Sequence, residues 1–193
     1  MQIDPIPAFT DNYIWCLHDH ARAIVVDPGD AGPVEAYLDT HKLQLVGILI
    51  THHHFDHTGG LPELCKKRPE MPVWGPATSS EHVNRPVTEG DEVELFSRRF
   101  RVIAVPGHTL DHIAFFSEGA ADAEPVLLPG DTLFAGGCGR LFEGSPEQML
   151  NSLNKLVDLP DTTHIYCAHE YTEANLRFAA AVEPDNDNVT QRL

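Results

Sequence analysis

Thr51-His52-His53-His54-Phe55-Asp56-His57 is the stretch from which the fold of this chain is read. It follows the apolar run Leu45-Val46-Gly47-Ile48-Leu49-Ile50, a buried-strand pattern, and Gly59-Gly60 releases the chain into a new element. Imidazole and carboxylate at this density match the donor set of a transition-metal site. A histidine tag would sit at a terminus and would have no strand in front of it. On an extended or looped segment, residues 52 and 54 face one way and 53 faces the other. Asp56 and His57 then turn toward a second position. A helix would send 52 and 54 to nearly opposite sides, so an extended or looped course is expected.

Three more apolar runs end in the same manner. Arg101-Val102-Ile103-Ala104-Val105 leads into Pro106-Gly107-His108-Thr109, and Val126-Leu127-Leu128 leads into Pro129-Gly130-Asp131-Thr132. His164-Ile165-Tyr166-Cys167 leads into Ala168-His169-Glu170. One histidine after a strand is more often a hydrogen-bonded structural residue than a ligand. Repetition at four strand ends, with small residues that let the backbone turn tightly, favours a shared site. The pooled donors are His52, His54, Asp56, His57, His108, Asp131 and His169. Seven donors exceed one tetrahedral ion and suit two ions sharing a bridging carboxylate. Zinc fits this set, with iron or manganese as alternatives. His53 should point away, and His112 should be a hydrogen-bonded neighbour of the site. His18, His20, His41, His82 and His164 carry no such pattern and read as surface or packing residues.

Composition bounds the reading. A chain of 193 residues defaults to one domain with a substantial core. The net charge of -16 argues against nucleic acid, whose phosphates need basic patches. Cys16, Cys65, Cys138 and Cys167 form no C-x-x-C pair and read as free thiols of a reducing compartment. No basic, apolar leader pattern opens the sequence, and no apolar run approaches membrane-spanning length. A cytoplasmic protein is expected, acting as a monomer without membrane contact.

Strands and helices alternate along the chain. Strands are expected at Ala23–Asp27, at the 45–50 run, at Val73–Gly75, at Glu92–Phe96 paired with Arg99–Val105, and at Ala114–Phe116 and Val126–Leu128. Helices are expected at Val34–His41, Leu61–Lys67 and Thr172–Val182. Ser145-Pro146-Glu147-Gln148 is a capping box with proline at the first helical position, opening a helix through Met149, Leu150, Leu153, Leu156 and Val157. Glu118 to Pro125 reads as a solvated connection.

The metal motif, with Gly107-His108-Thr109, Gly130-Asp131 and the late His169, resembles the metallo-β-lactamase superfamily. Four stretches narrow the resemblance to the glyoxalase II family, the hydroxyacylglutathione hydrolases. They are Ala8-Phe9-Thr10-Asp11-Asn12-Tyr13, Asp131-Thr132-Leu133-Phe134, Gly137 to Gly144 and Cys167 to Thr172. The resemblance implies an α/β fold, an αβ/βα sandwich with two mixed β-sheets flanked by helices and the metals at one edge. It implies that His52, His54 and His108 hold one divalent ion, that Asp56, His57 and His169 hold the other, and that Asp131 and a hydroxide bridge them. Arg140 and Tyr171 correspond to positions that contact glutathione. Phe142 stands where some relatives carry tyrosine, so a phenolic hydrogen bond is lost there. By the same resemblance residues 1–183 form the catalytic domain, and 184–193 form a linker or the start of a C-terminal helical segment that adds glutathione contacts.

Charge supports the chemistry. Two divalent ions, Asp56, Asp131 and one hydroxide leave about +1 on the cluster, enough to keep water ionised near neutral pH and to stabilise an oxyanion. A thioester of glutathione with a 2-hydroxy acid, S-D-lactoylglutathione in the family's usual case, suits this centre because a thiolate leaves readily. Two alternatives are an iron-dependent persulfide dioxygenase of the same superfamily and a non-catalytic metal-binding module. The stretches 141–144 and 169–172 favour the hydrolase.

Overall fold

A computed structural model gives the structure and describes residues 1–119 and 123–193. The first half of the chain builds one sheet. β1 (Gln2–Ala8), β2 (Asn12–His18) and β3 (Arg22–Val26) run antiparallel. α1 (Ala31–His41) then crosses to β4 (Gln44–Leu49), parallel to β3. α2 (Phe55–Thr58) and α3 (Leu61–Lys67) lead to β5 (Val73–Gly75), and β6 (Arg85–Pro86) closes the six-stranded order β1-β2-β3-β4-β5-β6.

The second half builds another sheet. β7 (Glu92–Leu95), β8 (Arg98–Ala104), β9 (Ile113–Ser117) and β10 (Val126–Leu128) pair antiparallel in sequence. A small hairpin of β11 (Leu133–Phe134) and β12 (Gly137–Cys138) follows, then α4 (Pro146–Val157). β13 (His164–Ile165) adds parallel to β10, and α5 (Thr172–Val182) and α6 (Asp187–Thr190) end the chain.

Side-chain alternation sorts the apolar residues into three layers. Ala23, Val25, Ile48 and Ile50 face α1 and α3, joining Val34, Leu38, Leu61 and Leu64. Ile24, Val26 and Leu49 face the other sheet and meet Phe100, Val102, Phe115 and Leu128. Ile103, Phe116 and Leu127 face outward to Leu156 of α4. The result is helix, sheet, sheet, helix. Because both faces of β4 are covered, its run is apolar almost without alternation.

The Ser145 capping box forms, with the Ser145 hydroxyl accepting from Gln148 N–H and the Gln148 side chain accepting from Ser145 N–H. β1 was not expected, because Pro5 and Pro7 interrupt its pattern. It is an edge strand paired only to β2, where a missing N–H on the open side costs nothing. The metal segment also differs in part: 51–54 is non-helical, but Phe55–Thr58 is one helical turn. His54 carbonyl accepts from the N–H groups of His57 and Thr58, at 3.0 and 3.1 Å, which closes that turn. The connection from Glu118 to Pro125 lies partly outside the described residues. β8 and β10 run in the same direction on either side of β9, and β13 runs parallel to β10. The residues that follow these three strands therefore leave at one edge, beside the segment that follows β4.

Candidate metal centre

All seven sequence-derived donors meet at that edge, in two trios with Asp131 between them. Donor atoms of His52, His54 and His108 lie within 4.8 Å of one another, as do those of Asp56, His57 and His169. Asp131 Oδ2 stands 3.3 Å from His108 Nε2, while Oδ1 stands 3.3 Å from both His57 Nε2 and His169 Nε2. One carboxylate thus offers an oxygen to each trio.

The rings are held from behind. Asp27 accepts the Thr51 N–H at 2.8 Å and the Thr51 hydroxyl at 2.7 Å. With its proton spent on Asp27, the Thr51 oxygen accepts from His52 Nδ1, 3.0 Å away, leaving His52 Nε2 bare toward the centre. His57 Nδ1 lies 3.1 Å from Asp27 Oδ2. His108 Nδ1 donates to the Arg140 carbonyl at 2.7 Å, and His169 Nδ1 pairs with Asp11 Oδ1 at 2.8 Å. Asn12 Nδ2 donates to Asp56 Oδ2 at 2.9 Å. Outer partners of this kind fix ring tautomer and orientation at metal sites.

The donor set fits metal ions. His52 Nε2 and Asp131 Oδ1 are buried and make no hydrogen bond among the described residues, although buried polar atoms seldom go unpaired. The close pairs across the second trio span 3.3 to 3.5 Å. Ligands about 2.1 Å from a tetrahedral ion stand roughly 3.4 Å apart. Burial depresses the pKa of His52, His54 and His108, so the first trio is neutral and free to donate lone pairs. Burial also works against charge on His57 and His169, but Asp131 and the other carboxylates outweigh it and raise both. Burial likewise opposes ionisation of Asp131, yet His57 and His169 hold its carboxyl at about 2. The carboxylates beside the second trio are therefore ionised and favour protons on His57 and His169, which a metal ion would displace on binding.

His53 points away from both trios, toward Asp111 and Glu143. His112 stacks on His52 at 4.6 Å and accepts the Asp131 N–H at 3.1 Å; burial drives its pKa down to about 3. Phe142 is exposed and sets its edge against His54 and His108, 5.2 and 5.3 Å between centroids. The Arg140 guanidinium lies 5.2 Å over the Phe142 ring, and Tyr171 stacks flat on His169 at 5.0 Å. Asp27, Thr51 and Asn12 were missed as supporting residues. The available signal was a polar residue at a strand end immediately before Pro28-Gly29. A cavity of about 530 Å³ beside Phe96, Arg98 and Arg101 lies away from these donors and carries none of this chemistry.

The sequence profile of the metallo-beta-lactamase superfamily matches residues 9–169. Hydroxyacylglutathione hydrolase of Alkalilimnicola ehrlichii is 57% identical, across 100% of this chain and 74% of its own length. The enzyme of that name from Vibrio cholerae is 52% identical, across 98% of this chain and 73% of its own length. This chain belongs to the hydroxyacylglutathione hydrolases of the metallo-beta-lactamase superfamily. Among solved structures, ETHE1 from Myxococcus xanthus shares 29% identity, with a TM-score of 0.75 over 89% of this chain and 76% of its own. A fold relative solved in a di-iron-bound form shares 26%, with a TM-score of 0.71 over 90% and 97% of the two chains. The αβ/βα sandwich expected from the sequence is the fold of this family member, and it is a thioester hydrolase. Its clustered histidines and aspartates are those of a binuclear metal site.

Proposed function

We propose that the chain hydrolyses S-(2-hydroxyacyl)glutathione, S-D-lactoylglutathione among such thioesters, to glutathione and a 2-hydroxy acid. The observation that carries this is the position of Asp131, one oxygen toward each histidine group, at the only edge where four strand ends deliver donors among the described residues. His52, His54 and His108 would hold one divalent ion and Asp56, His57 and His169 the other, with Asp131 shared. Such a pair supplies an ionised water near neutral pH and stabilises negative charge on the carbonyl oxygen. Zinc suits the five-imidazole, two-carboxylate set, and iron and manganese also accept it.

The chain's own residues supply orientation. Thr51, Asp27, Asp11 and the Arg140 carbonyl hold the imidazoles. Arg140, Phe142 and Tyr171 surround the centre and would position the glutathione part, Arg140 through its charge and Phe142 through packing alone. The departing group is a thiolate, so no side-chain acid is needed to protonate it. Division into a catalytic domain at 1–183 and a linker or helical segment from 184 belongs to this same reading. So does a monomer working in the cytoplasm away from nucleic acid, which the charge of -16 favours. Among the described residues no helix is long and apolar enough to cross a membrane.

The test combines elemental analysis with turnover of S-D-lactoylglutathione on one preparation. Two equivalents of metal with thioester turnover are expected. A fully loaded sample inert toward glutathione thioesters, or an active one with a single equivalent, sinks the reading. Oxygen uptake with glutathione persulfide would point to the dioxygenase alternative.

A further inference from the structure

His53 sits between two metal-donor candidates and joins neither trio. Its ring is half-buried, with Nδ1 3.2 Å from Asp111 Oδ1 and Nε2 3.2 Å from Glu143 Oε1. Both carboxylates are anchored elsewhere. Asp111 accepts the hydroxyls of Thr109 and Thr78, each at 2.8 Å. Glu143 uses its second oxygen to accept the Leu110 N–H at 2.8 Å. The neighbouring residues continue the contact, since His54 meets the edge of Phe142 at 5.2 Å. Residues 53 and 54 therefore pair with 143 and 142 as two adjacent rungs, one polar and one aromatic.

We propose that His53 and Glu143 are positioning residues that fix the 139–144 loop over the donor segment, and so place Phe142 and Arg140 against the thioester. The backbone already ties this loop to the 106–109 turn, through Phe142 N–H to His108 O and Gly144 N–H to Gly107 O. Those bonds leave its approach to residues 51–57 to the two rungs. A side-chain contact this exposed contributes little to global stability. Its effect belongs to placement, where an ångström of drift in a substrate-facing side chain is costly. The substrate part of this inference rests on the hydrolase reading; the bridge itself does not.

The experiment uses the metal-loaded chain and four variants: His53→Ala, Glu143→Ala, the double variant and Glu143→Gln. Readouts are metal content, melting temperature, kcat and KM for S-D-lactoylglutathione, and amide hydrogen exchange across 139–144. Each alanine variant should keep two equivalents of metal and its melting temperature. Each should raise KM roughly 3- to 10-fold with a smaller change in kcat, and speed exchange in 139–144. The double variant should fall short of the sum of the two singles, because the shared His53–Glu143 contact is already lost in each. Glu143→Gln, which still offers hydrogen-bonding atoms to both His53 and Leu110 N–H, should restore most of the exchange protection. Additive KM effects, or exchange and KM unmoved in both single variants, would overturn the proposal. If no glutathione thioester is turned over by the parent chain, the hydrolase reading falls, and the exchange data alone judge the bridge.

Discussion

At Asp27 the backbone takes φ +52°, a left-handed conformation that costs a residue with a side chain about 1 kcal/mol. The fold tolerates that cost at the point where one buried carboxylate stands beside a ring of each trio, 3.1 Å from His57 Nδ1 and linked to His52 through the Thr51 hydroxyl. Asp27→Asn should therefore weaken the binding of both ions, by roughly 10- to 100-fold as supporting-residue losses usually do. Thr51→Val should weaken only the ion held by the His52 trio, and Thr51→Ser should recover it. Competition against a coloured chelator reads both steps; unchanged midpoints in Asp27→Asn would show that the rings orient themselves. Asp131→Ala is a harsher test, since both trios lose an oxygen. It should cost metal occupancy and turnover together, and a variant that keeps two equivalents would remove Asp131 from between them. Gly130, next to it, has φ +52°, and a Cβ there would stand 2.4 Å from Thr51 Oγ1. Even alanine would push the Thr51 support away.

Between elements, α1 and α3 are joined by a two-pronged pair, Arg68 Nη1 and Nη2 to the two oxygens of Glu35 at 2.8 and 3.0 Å. The Arg68 hydrogen bonds hold the Glu35 carboxyl below its ordinary value of 4.5. A folded value below the unfolded one means the pair's stabilisation is full above about 4.5 and fades as pH falls through the depressed value. Glu35→Gln should cost about 1 kcal/mol at pH 7 and less with each step into acid, measured as urea midpoints from pH 7 to 3. A constant difference across that range would mean that packing, not charge, joins the helices. Most long patterned elements were legible in the sequence for the same reason that they are stable, each carrying its own signal; the exception is β2, a seven-residue buried strand that was not expected. α3 and α5 have the expected bounds, as do β5 and β10, and the capping box opens α4 as read. β6, β11 and β12 were not legible, because two residues hold no periodicity. β1 hid behind its prolines, and the turn of α2 behind a spacing argument that was sound only for residues 52 to 54.

Across the whole molecule, the donors come from both sheets: His52, His54, Asp56 and His57 after β4, and His108, Asp131 and His169 after β8, β10 and β13. Their types and strand-end positions were visible in the chain. Their supports were not, because Asp27 and Asp11 act through pairings 24 and 158 residues away, which no local pattern encodes. The two-sheet origin has a mechanical consequence. At this edge Asp131 and Asp56 crowd against His57 and His169, and His52 Nε2 is left without a partner among the described residues. Metal ions would satisfy those atoms and fasten one sheet to the other, and they bind only the folded chain. An ion at 100 times its Kd adds about 2.7 kcal/mol to folding. For a chain of this size each kcal/mol moves Tm by about 2–4 °C, so stripping both ions should lower Tm by roughly 10 °C or more. Hydrogen exchange should rise first at the segments after β4, β8 and β10, while the layer between the sheets around Phe100 and Phe115 stays protected. Calorimetry on chelator-stripped and reloaded samples, each checked by elemental analysis, makes the comparison. If the metal-free chain melts within about 2 °C of the loaded one, the ions do not fasten the sheets and the edge is held by its hydrogen bonds alone.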